Sequence, residues 1–162
     1  MYLRKGGAVG VFGCGVNYVF NDLPDYLRFE GWILETVGSA GARGNFLRLF
    51  DSAGNILDSE YGSGFAPGLY YNGVQIVNDA APGVAGVYHY VQFEADIVNG
   101  LGYLWRDTVY KGVGAMNLLN VVAFQCMTNM NGGGNEECYF DDLAYYSTIA
   151  QALYKRQKRG FI

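Results

Sequence analysis

Residues 88–107 read YHYVQFEADIVNGLGYLWRD, and their alternating pattern indicates the architecture of the rest of the chain. Apolar and polar side chains alternate before Asn99-Gly100, and Tyr103, Trp105 and Asp107 follow it at the same period of two. A period of two is typical of a β-strand with one buried face, and Asn-Gly is a favoured dipeptide of two-residue hairpin turns. The stretch therefore predicts a hairpin in which Tyr88–Val98 pairs with a return strand at Leu101–Asp107.

The two strands of this hairpin divide their side chains into rows. The apolar row of the first strand is expected to face the core and comprises Val91, Phe93, Ala95 and Ile97. The outward row mixes aromatic, amide and carboxylate groups and continues on the return strand, with members Tyr88, Tyr90, Gln92, Glu94, Asp96, Tyr103, Trp105 and Asp107. In the alternative arrangement, Tyr103 and Trp105 face inward as core residues.

The same alternation recurs along the chain. Tyr26–Val37 divides into an apolar face of Leu27, Phe29 and Ile33 and an opposite face of Arg28, Glu30 and Trp32. Further strands are predicted at Ala8–Phe12, Asn45–Phe50, Asn55–Leu57, Tyr70–Val77, Leu118–Met127 and Cys138–Tyr146. Many short strands with little helix between them predict an all-β, two-sheet antiparallel sandwich at residues 1–147, followed by a basic tail at 148–162 that forms a short helix or an arm.

The composition and charge exclude several classes of protein. The chain has 162 residues, enough for one domain, and its 24 glycines against 3 prolines suit a fold of short strands and tight turns. Without the four basic residues of the tail, seven basic side chains face fifteen acidic ones, so the domain itself is not expected to bind nucleic acid. No apolar run reaches the length of a membrane span.

The amino-terminal segment and the cysteines give two further expectations. Arg4 and Lys5 precede a mildly apolar stretch, but five glycines interrupt it, so we expect strands here and no signal peptide. The three cysteines, Cys14, Cys126 and Cys138, are odd in number and lack the Cys-x-x-Cys spacing of zinc or thioredoxin sites. Cys126 and Cys138 either form a disulfide across a hairpin or remain reduced and buried.

Three stretches resemble the concanavalin A-like superfamily of lectins, glucanases, laminin-G-like domains and carbohydrate-binding modules. They are Tyr2–Gly6, similar to an early strand of carbohydrate-binding modules, Phe93–Asp107, similar to a paired acidic and aromatic hairpin, and Cys138–Tyr145, similar to a closing aromatic-apolar-Asp-Asp-apolar strand. Together they cover about a fifth of the chain in the expected order. The resemblance implies a jelly roll, but enzymes, lectins and coat proteins share that fold.

The candidate catalytic sequence of the chain is Glu94-Ala95-Asp96-Ile97-Val98-Asn99. It resembles the Glu-x-Asp-x-x-Glu strand of laminarinase-like glucanases, whose two glutamates act as nucleophile and acid/base. Asn99 stands in place of the second glutamate and cannot transfer a proton. Glu94 and Asp96 are therefore expected to be solvated, His89 to be structural, and the chain not to be an enzyme.

Glycan binding is the function that the outward row favours. Aromatic rings stack on the C–H patches of sugars while polar side chains bond the hydroxyl groups. The outward row provides both kinds of group on neighbouring strands. We therefore predict a non-catalytic, lectin-like module that binds glycans through this surface.

A structural metal is a further expectation. Asp141-Asp142 lies in a stretch with apolar residues at both parities, so at least one carboxylate is expected in surroundings of low dielectric constant. Related carbohydrate-binding modules often bind a structural Ca²⁺ through an aspartate of this strand, and Ca²⁺ prefers such oxygen ligands. Hydrogen bonds to backbone N–H groups at a β-bulge are the alternative.

The tail suggests a protein partner and a setting. Its apolar and basic residues are expected to dock onto a neighbouring subunit, which can be a second copy of this chain. These residues are Leu153, Tyr154, Lys155, Arg156, Lys158 and Arg159. A glycan binder without a signal peptide fits a phage virion, as a capsid decoration or tail-fibre component. A secreted module is the other setting, if Met1 is not the native start.

Overall fold

Twelve strands form the part of the chain that the computed structural model describes, residues 2–5, 15–35, 45–61, 67–80, 86–128 and 136–148. They are β1 (Tyr2–Lys5), β2 (Gly15–Val19), β3 (Tyr26–Glu35), β4 (Asn45–Asp51), β5 (Ile56–Tyr61), β6 (Gly68–Tyr71), β7 (Val74–Asn78), β8 (Tyr88–Asp96), β9 (Leu101–Arg106), β10 (Val109–Ala115), β11 (Val121–Thr128) and β12 (Glu136–Tyr146). Within those ranges, no helix has the length and hydropathy to cross a bilayer.

The strands pair antiparallel in two six-stranded sheets. The front sheet has the order β1-β12-β3-β8-β9-β10, and the back sheet has the order β2-β11-β4-β5-β6-β7. Strands that are neighbours in a sheet are often far apart in sequence, as expected in a jelly roll, where the chain crosses repeatedly between the two sheets. The predicted all-β sandwich is confirmed.

The hydrophobic core lies between the two sheets. Phe29 of the front sheet stacks on Phe124 of the back sheet, with ring centroids 4.0 Å apart. The predicted inner residues of β3 and β8 are all buried, namely Leu27, Phe29, Ile33, Val91, Phe93 and Ala95, and Ile97 packs against them. Each such side chain contributes about 1.5–3 kcal/mol on leaving water, so this alternation accounts for much of the stability of the sandwich.

The central hairpin forms as predicted, but its turn is longer than expected. Asp96 pairs with Leu101, which leaves the four residues 97–100 in the turn. Gly100 has a positive φ of 67°, whereas Asn99 does not belong to the positive-φ residues. The carboxylate of Asp96 accepts hydrogen bonds from the Asn99 backbone N–H (3.0 Å) and side-chain amide (2.8 Å). These bonds stabilise the wider turn, so the two-residue prediction was wrong.

None of the strands predicted from the sequence corresponds to β10. Asp107 and Thr108, both with positive φ, form the tight turn that leads into it. Those residues lack the usual glycine signal of such a turn. A Cβ on Gly114 would lie 2.6 Å from the backbone O of Ile76, so glycine allows the edges of the two sheets to approach. That glycine also weakens the alternation that would have revealed the strand.

Other strand predictions differ in detail. Tyr70–Val77 is a hairpin, because Asn72 and Gly73 both have positive φ and separate β6 from β7. The strand predicted from Leu118 begins at Val121. The strand predicted at Ala8–Phe12 lies outside the described residues.

The two cysteines that were considered as a pair lie on different sheets. Cys126 is in β11 of the back sheet, whereas Cys138 is in β12 of the front sheet. The expected hairpin between them is therefore wrong. Cys126 is a buried free thiol, which confirms the reduced alternative for this residue.

Candidate functional site

The outer face of the front sheet, called the front face below, collects the predicted glycan-binding row. Glu94 of β8 pairs with Tyr103 of β9, and Gln92 pairs with Trp105. Tyr103 and Trp105 are half-buried, whereas Leu104 between them is fully buried. The outward placement of the two aromatic residues is thus confirmed, and their alternative placement in the core is excluded.

The centre of the front face holds a buried polar network. Arg28 Nη2 donates to Glu30 Oε2 (2.7 Å) and to Gln92 Oε1 (2.8 Å). Gln92 donates in turn to Glu94 Oε1 (3.0 Å), which lies 3.6 Å from Arg28 Nη1. The Tyr146 hydroxyl donates to Glu30 Oε1 (3.0 Å). All five side chains are less than a tenth exposed, so the network connects β12, β3 and β8 in surroundings where charge pairing is strong.

Aromatic side chains lie on both sides of this network. Trp32 and Tyr90 form an edge-to-face pair on β3 and β8, with ring centroids 5.3 Å apart. On the other side, Trp105 lies between Tyr103 (6.1 Å) and Tyr110 (5.3 Å). Trp32 is 40% exposed and Tyr110 is 51% exposed. The front face therefore presents two aromatic patches separated by polar groups.

The Tyr103 hydroxyl remains a neutral group on this face. Desolvation raises its pKa most, and the negative charges of Asp96 and Glu94, together with Tyr110, raise it further. A neutral phenol both donates and accepts hydrogen bonds. Tyr103 therefore suits a ligand that carries hydroxyl groups.

Three side chains of the outward row are less exposed than predicted. Glu94 is 7% exposed and Asp96 is half-buried, so the expectation that both are solvated was wrong. Glu94 is buried because it belongs to the Arg28 network, and Asp96 because its carboxylate holds the turn at 97–100. Gln92 is buried for the same reason as Glu94.

At the end of the outward row, the Asp107 side chain contacts other residues of the chain. Asp107 Oδ1 accepts from the Tyr90 backbone N–H (2.9 Å), and Asp107 Oδ2 lies 2.9 Å from His89 Nδ1. These contacts stabilise the β9–β10 turn, which agrees with a structural role for His89. Tyr88 lies at the start of β8 and is exposed.

The aspartate pair of β12 is exposed, contrary to the expected burial. Asp141 and Asp142 lie where the pairing of β12 with β3 shifts register, and such a bulge turns side chains away from their regular direction. Asp141 Oδ1 accepts from the Asp142 backbone N–H (3.0 Å), and Asp142 has φ of 49°. In the described ranges, no three His, Cys, Asp or Glu side chains lie together as metal ligands. The calcium prediction now depends on the sequence resemblance alone.

The predicted docking residues of the tail, 153–159, lie outside the described residues. Sequence reasoning also missed functional candidates, namely Arg28, Glu30, Trp32, Tyr110 and Tyr146. The pattern placed Arg28, Glu30 and Trp32 on the outer face of β3. The signal that was available is a pair of opposite charges two positions apart on one strand face, next to a tryptophan.

The fold is similar to that of several solved proteins. A sialidase superposes with a TM-score of 0.67 at 11% identity over 93% of this chain, which spans only 16% of the sialidase. The carbohydrate-binding module CBM66 from Bacillus subtilis superposes with a TM-score of 0.60 at 11% identity, over 90% of this chain and 95% of the module. The alginate lyase AlgAT5 of polysaccharide lyase family 7 gives 0.59 at 10% identity, over 91% and 69%.

These similarities confirm the jelly-roll fold and, at such low identity, nothing beyond the fold. No family model matches the sequence. No curated protein matches it either.

Proposed function

We propose that this protein is a lectin-like module that binds glycans on its front face. The observation that carries the proposal is the arrangement of two partly exposed aromatic patches, Trp32–Tyr90 and Tyr103–Trp105–Tyr110, around a buried polar network. Binding sites for small ligands combine apolar surface with a few fixed polar groups in this way. The fixed polar groups here are oriented by bonds within the network, which reduces the entropy that binding costs.

Two of the solved proteins with this fold are named for carbohydrates, a binding module and an alginate lyase. Their names support a carbohydrate ligand for the same fold, although they do not select a sugar. The ligand class that we propose is therefore an oligosaccharide displayed on a surface, in a secreted or virion setting.

A glycan array followed by calorimetry tests the proposal. Trp105→Ala is expected to weaken binding about tenfold or more, because it removes the central ring of one aromatic patch. Tyr70→Ala is the matched control, since Tyr70 is a half-buried aromatic residue on the back sheet, opposite Asp58. Absence of binding to every glycan on the array would refute the proposal, as would equal losses in the two variants.

Catalysis on glycans is a second candidate, favoured by one observation. Glu30 and Glu94 both contact Arg28 on the front face, at 2.7 Å and 3.6 Å. Two carboxylates at one site are what glycoside hydrolysis requires. Release of reducing sugar from β-glucans that disappears in Glu94→Gln would establish this candidate over simple binding.

The remaining expectations are proposals with direct tests. Size-exclusion chromatography with and without residues 148–162 tests docking of the tail onto a second subunit, the arrangement expected in a virion. An unchanged monomer would contradict it. Melting with Ca²⁺ or with a chelator tests the metal at Asp141 and Asp142, and an unshifted midpoint would remove it.

A further inference from the structure

A small pocket lies at the margin of the sandwich, apart from the front face. It is lined by residues at the end of β2, by the segment that follows β2, and by the end of β12. Its volume is about 100 Å³. Since one water molecule needs about 10–15 Å³ of such space, the pocket accommodates a small group of several heavy atoms.

Three aromatic rings form one side of this pocket. Tyr18 and Tyr145 are each inclined to Phe20 by about 75°, with ring centroids 5.3 and 5.7 Å from it. The rings therefore form a corner and do not close into a stack. The two tyrosine hydroxyls bond each other at 3.0 Å, and Tyr145 also stacks against Phe29 of the core. The corner is thus held in place before any ligand arrives.

The rest of the lining is Asn21, Asp22, Pro24 and Ser147, of which Asp22 is acidic. Asn21 and Asp22 are exposed, and none of the described residues that line the pocket is basic. A carboxylate and the negative faces of aromatic rings both attract a cation. One carboxylate is too few for Ca²⁺, which takes six to eight oxygen ligands.

We propose that this pocket binds a methylated or quaternary ammonium group. Such a group is small, carries one positive charge, and presents methyl groups that contact rings without losing hydrogen bonds to water. The Tyr18–Tyr145 bond engages one hydroxyl donor and one acceptor and leaves the ring faces as apolar surface, which suits methyl groups better than a primary ammonium with three N–H donors. The site is independent of the glycan-binding proposal and shares none of its residues.

Titration of the full chain with tetramethylammonium chloride, followed by the aromatic NMR signals, tests this inference. We expect saturable shifts of Tyr18 and Tyr145, with binding about fivefold tighter than that of tert-butanol, a neutral molecule of similar shape. Sodium chloride at the same ionic strength is expected to give no saturable shift. Choline and a trimethyl-lysine peptide then distinguish a small metabolite from a protein tail as the source of the group.

Two variants separate the charge from the rings. Asp22→Asn is expected to weaken binding of tetramethylammonium several-fold, whereas Asp25→Asn, a nearby exposed carboxylate that does not line the pocket, should leave it unchanged. Tyr145→Leu is expected to abolish binding in a protein whose melting temperature shows that it is folded. Equal affinity for tert-butanol, no saturable shift, or equal losses in the two aspartate variants would overturn the proposal.

Discussion

Asp79 and Arg106 lie on different sheets and form a buried ion pair, with Asp79 Oδ2 2.7 Å from Arg106 Nε. Asp79 follows β7 of the back sheet and Arg106 ends β9 of the front sheet. Lys111 of β10 reaches the other carboxylate oxygen at 2.9 Å. The Asp79 side chain has no exposed surface, so one carboxylate compensates two cations at the edge where the sheets meet.

Asp79→Asn is expected to destabilise the fold by about 3–5 kcal/mol, because it removes the buried carboxylate that pairs with the Arg106 guanidinium. Urea denaturation measures the loss. Lys111→Met is the comparison variant, since it removes the more exposed cation and keeps the Asp79–Arg106 pair. A loss in Asp79→Asn no larger than that in Lys111→Met would contradict the assignment.

The polar network of the front face is expected to contribute to stability as a unit. Arg28→Met leaves the carboxylates of Glu30 and Glu94 buried without the guanidinium, at a cost of about 3–5 kcal/mol. Adding Glu30→Gln to that variant removes one of the two buried carboxylate charges, so the double variant should unfold at a higher urea concentration than Arg28→Met alone. If the two losses simply add, the residues do not act as a network.

The carboxylate of Asp51 predicts a pH dependence. Desolvation raises its pKa, but bonds from the Asn55 side chain and from the backbone N–H groups of Leu119, Asn55 and Ala53 together lower it below the usual 3.8. A lowered pKa stabilises the fold at pH values above 3.8, and that contribution is lost as the pH falls through the folded-state pKa. We expect Asp51→Ala to unfold more easily by about 1–3 kcal/mol at pH 7 and the difference from wild type to shrink below about pH 4.

Asn55→Ala is the control for that measurement. It removes the 2.7 Å bond from the Asn55 side chain to Asp51 Oδ2 but keeps the carboxylate and its three backbone donors. We therefore expect a smaller loss that persists further into acid. A difference between wild type and Asp51→Ala that does not change with pH would contradict the argument.

The separation of the aromatic patches predicts a dependence on ligand length. Trp32 on β3 and Trp105 on β9 are separated by β8, and their pairing partners on β8 are two residues apart. About 10 Å or more therefore separates their Cα atoms. If the front face binds glycans, a tetrasaccharide that reaches both patches should bind about tenfold more tightly than the monosaccharide. Trp32→Ala should reduce that ratio, measured by calorimetry, without abolishing binding of the monosaccharide at Trp105.

The core could be predicted from the sequence because its signal is local. Phe29 follows Arg28 and Phe93 follows Gln92, and a strand turns successive side chains to opposite faces whatever its partners are. The same reasoning placed Tyr103 and Trp105 on the outer face correctly.

The polar network could not be predicted, because its contacts join residues far apart in sequence. Gln92 lies 64 positions from Arg28, and Tyr146 lies 116 positions from Glu30. Only the order of strands in the front sheet brings them together, and alternation does not reveal that order. For the same reason Glu94 was expected to be exposed to solvent, although it was correctly placed on the outer face of β8.

Cys126 is expected to be chemically inert in the folded protein. Burial raises the pKa of its thiol to about 12, and the thiolate is the form that reacts with disulfides and alkylating reagents.

In a Cys14→Ser/Cys138→Ser variant, Cys126 is the remaining thiol of the chain. An aromatic disulfide reagent at pH 8 should release chromophore only slowly from this variant in buffer, and one equivalent rapidly in guanidinium chloride. Because reaction requires opening of the β11 region, its slow rate in buffer should rise with denaturant in parallel with unfolding. Rapid reaction in buffer, while circular dichroism reports an intact sandwich, would show that the thiol is accessible and that β11 packs differently at this point.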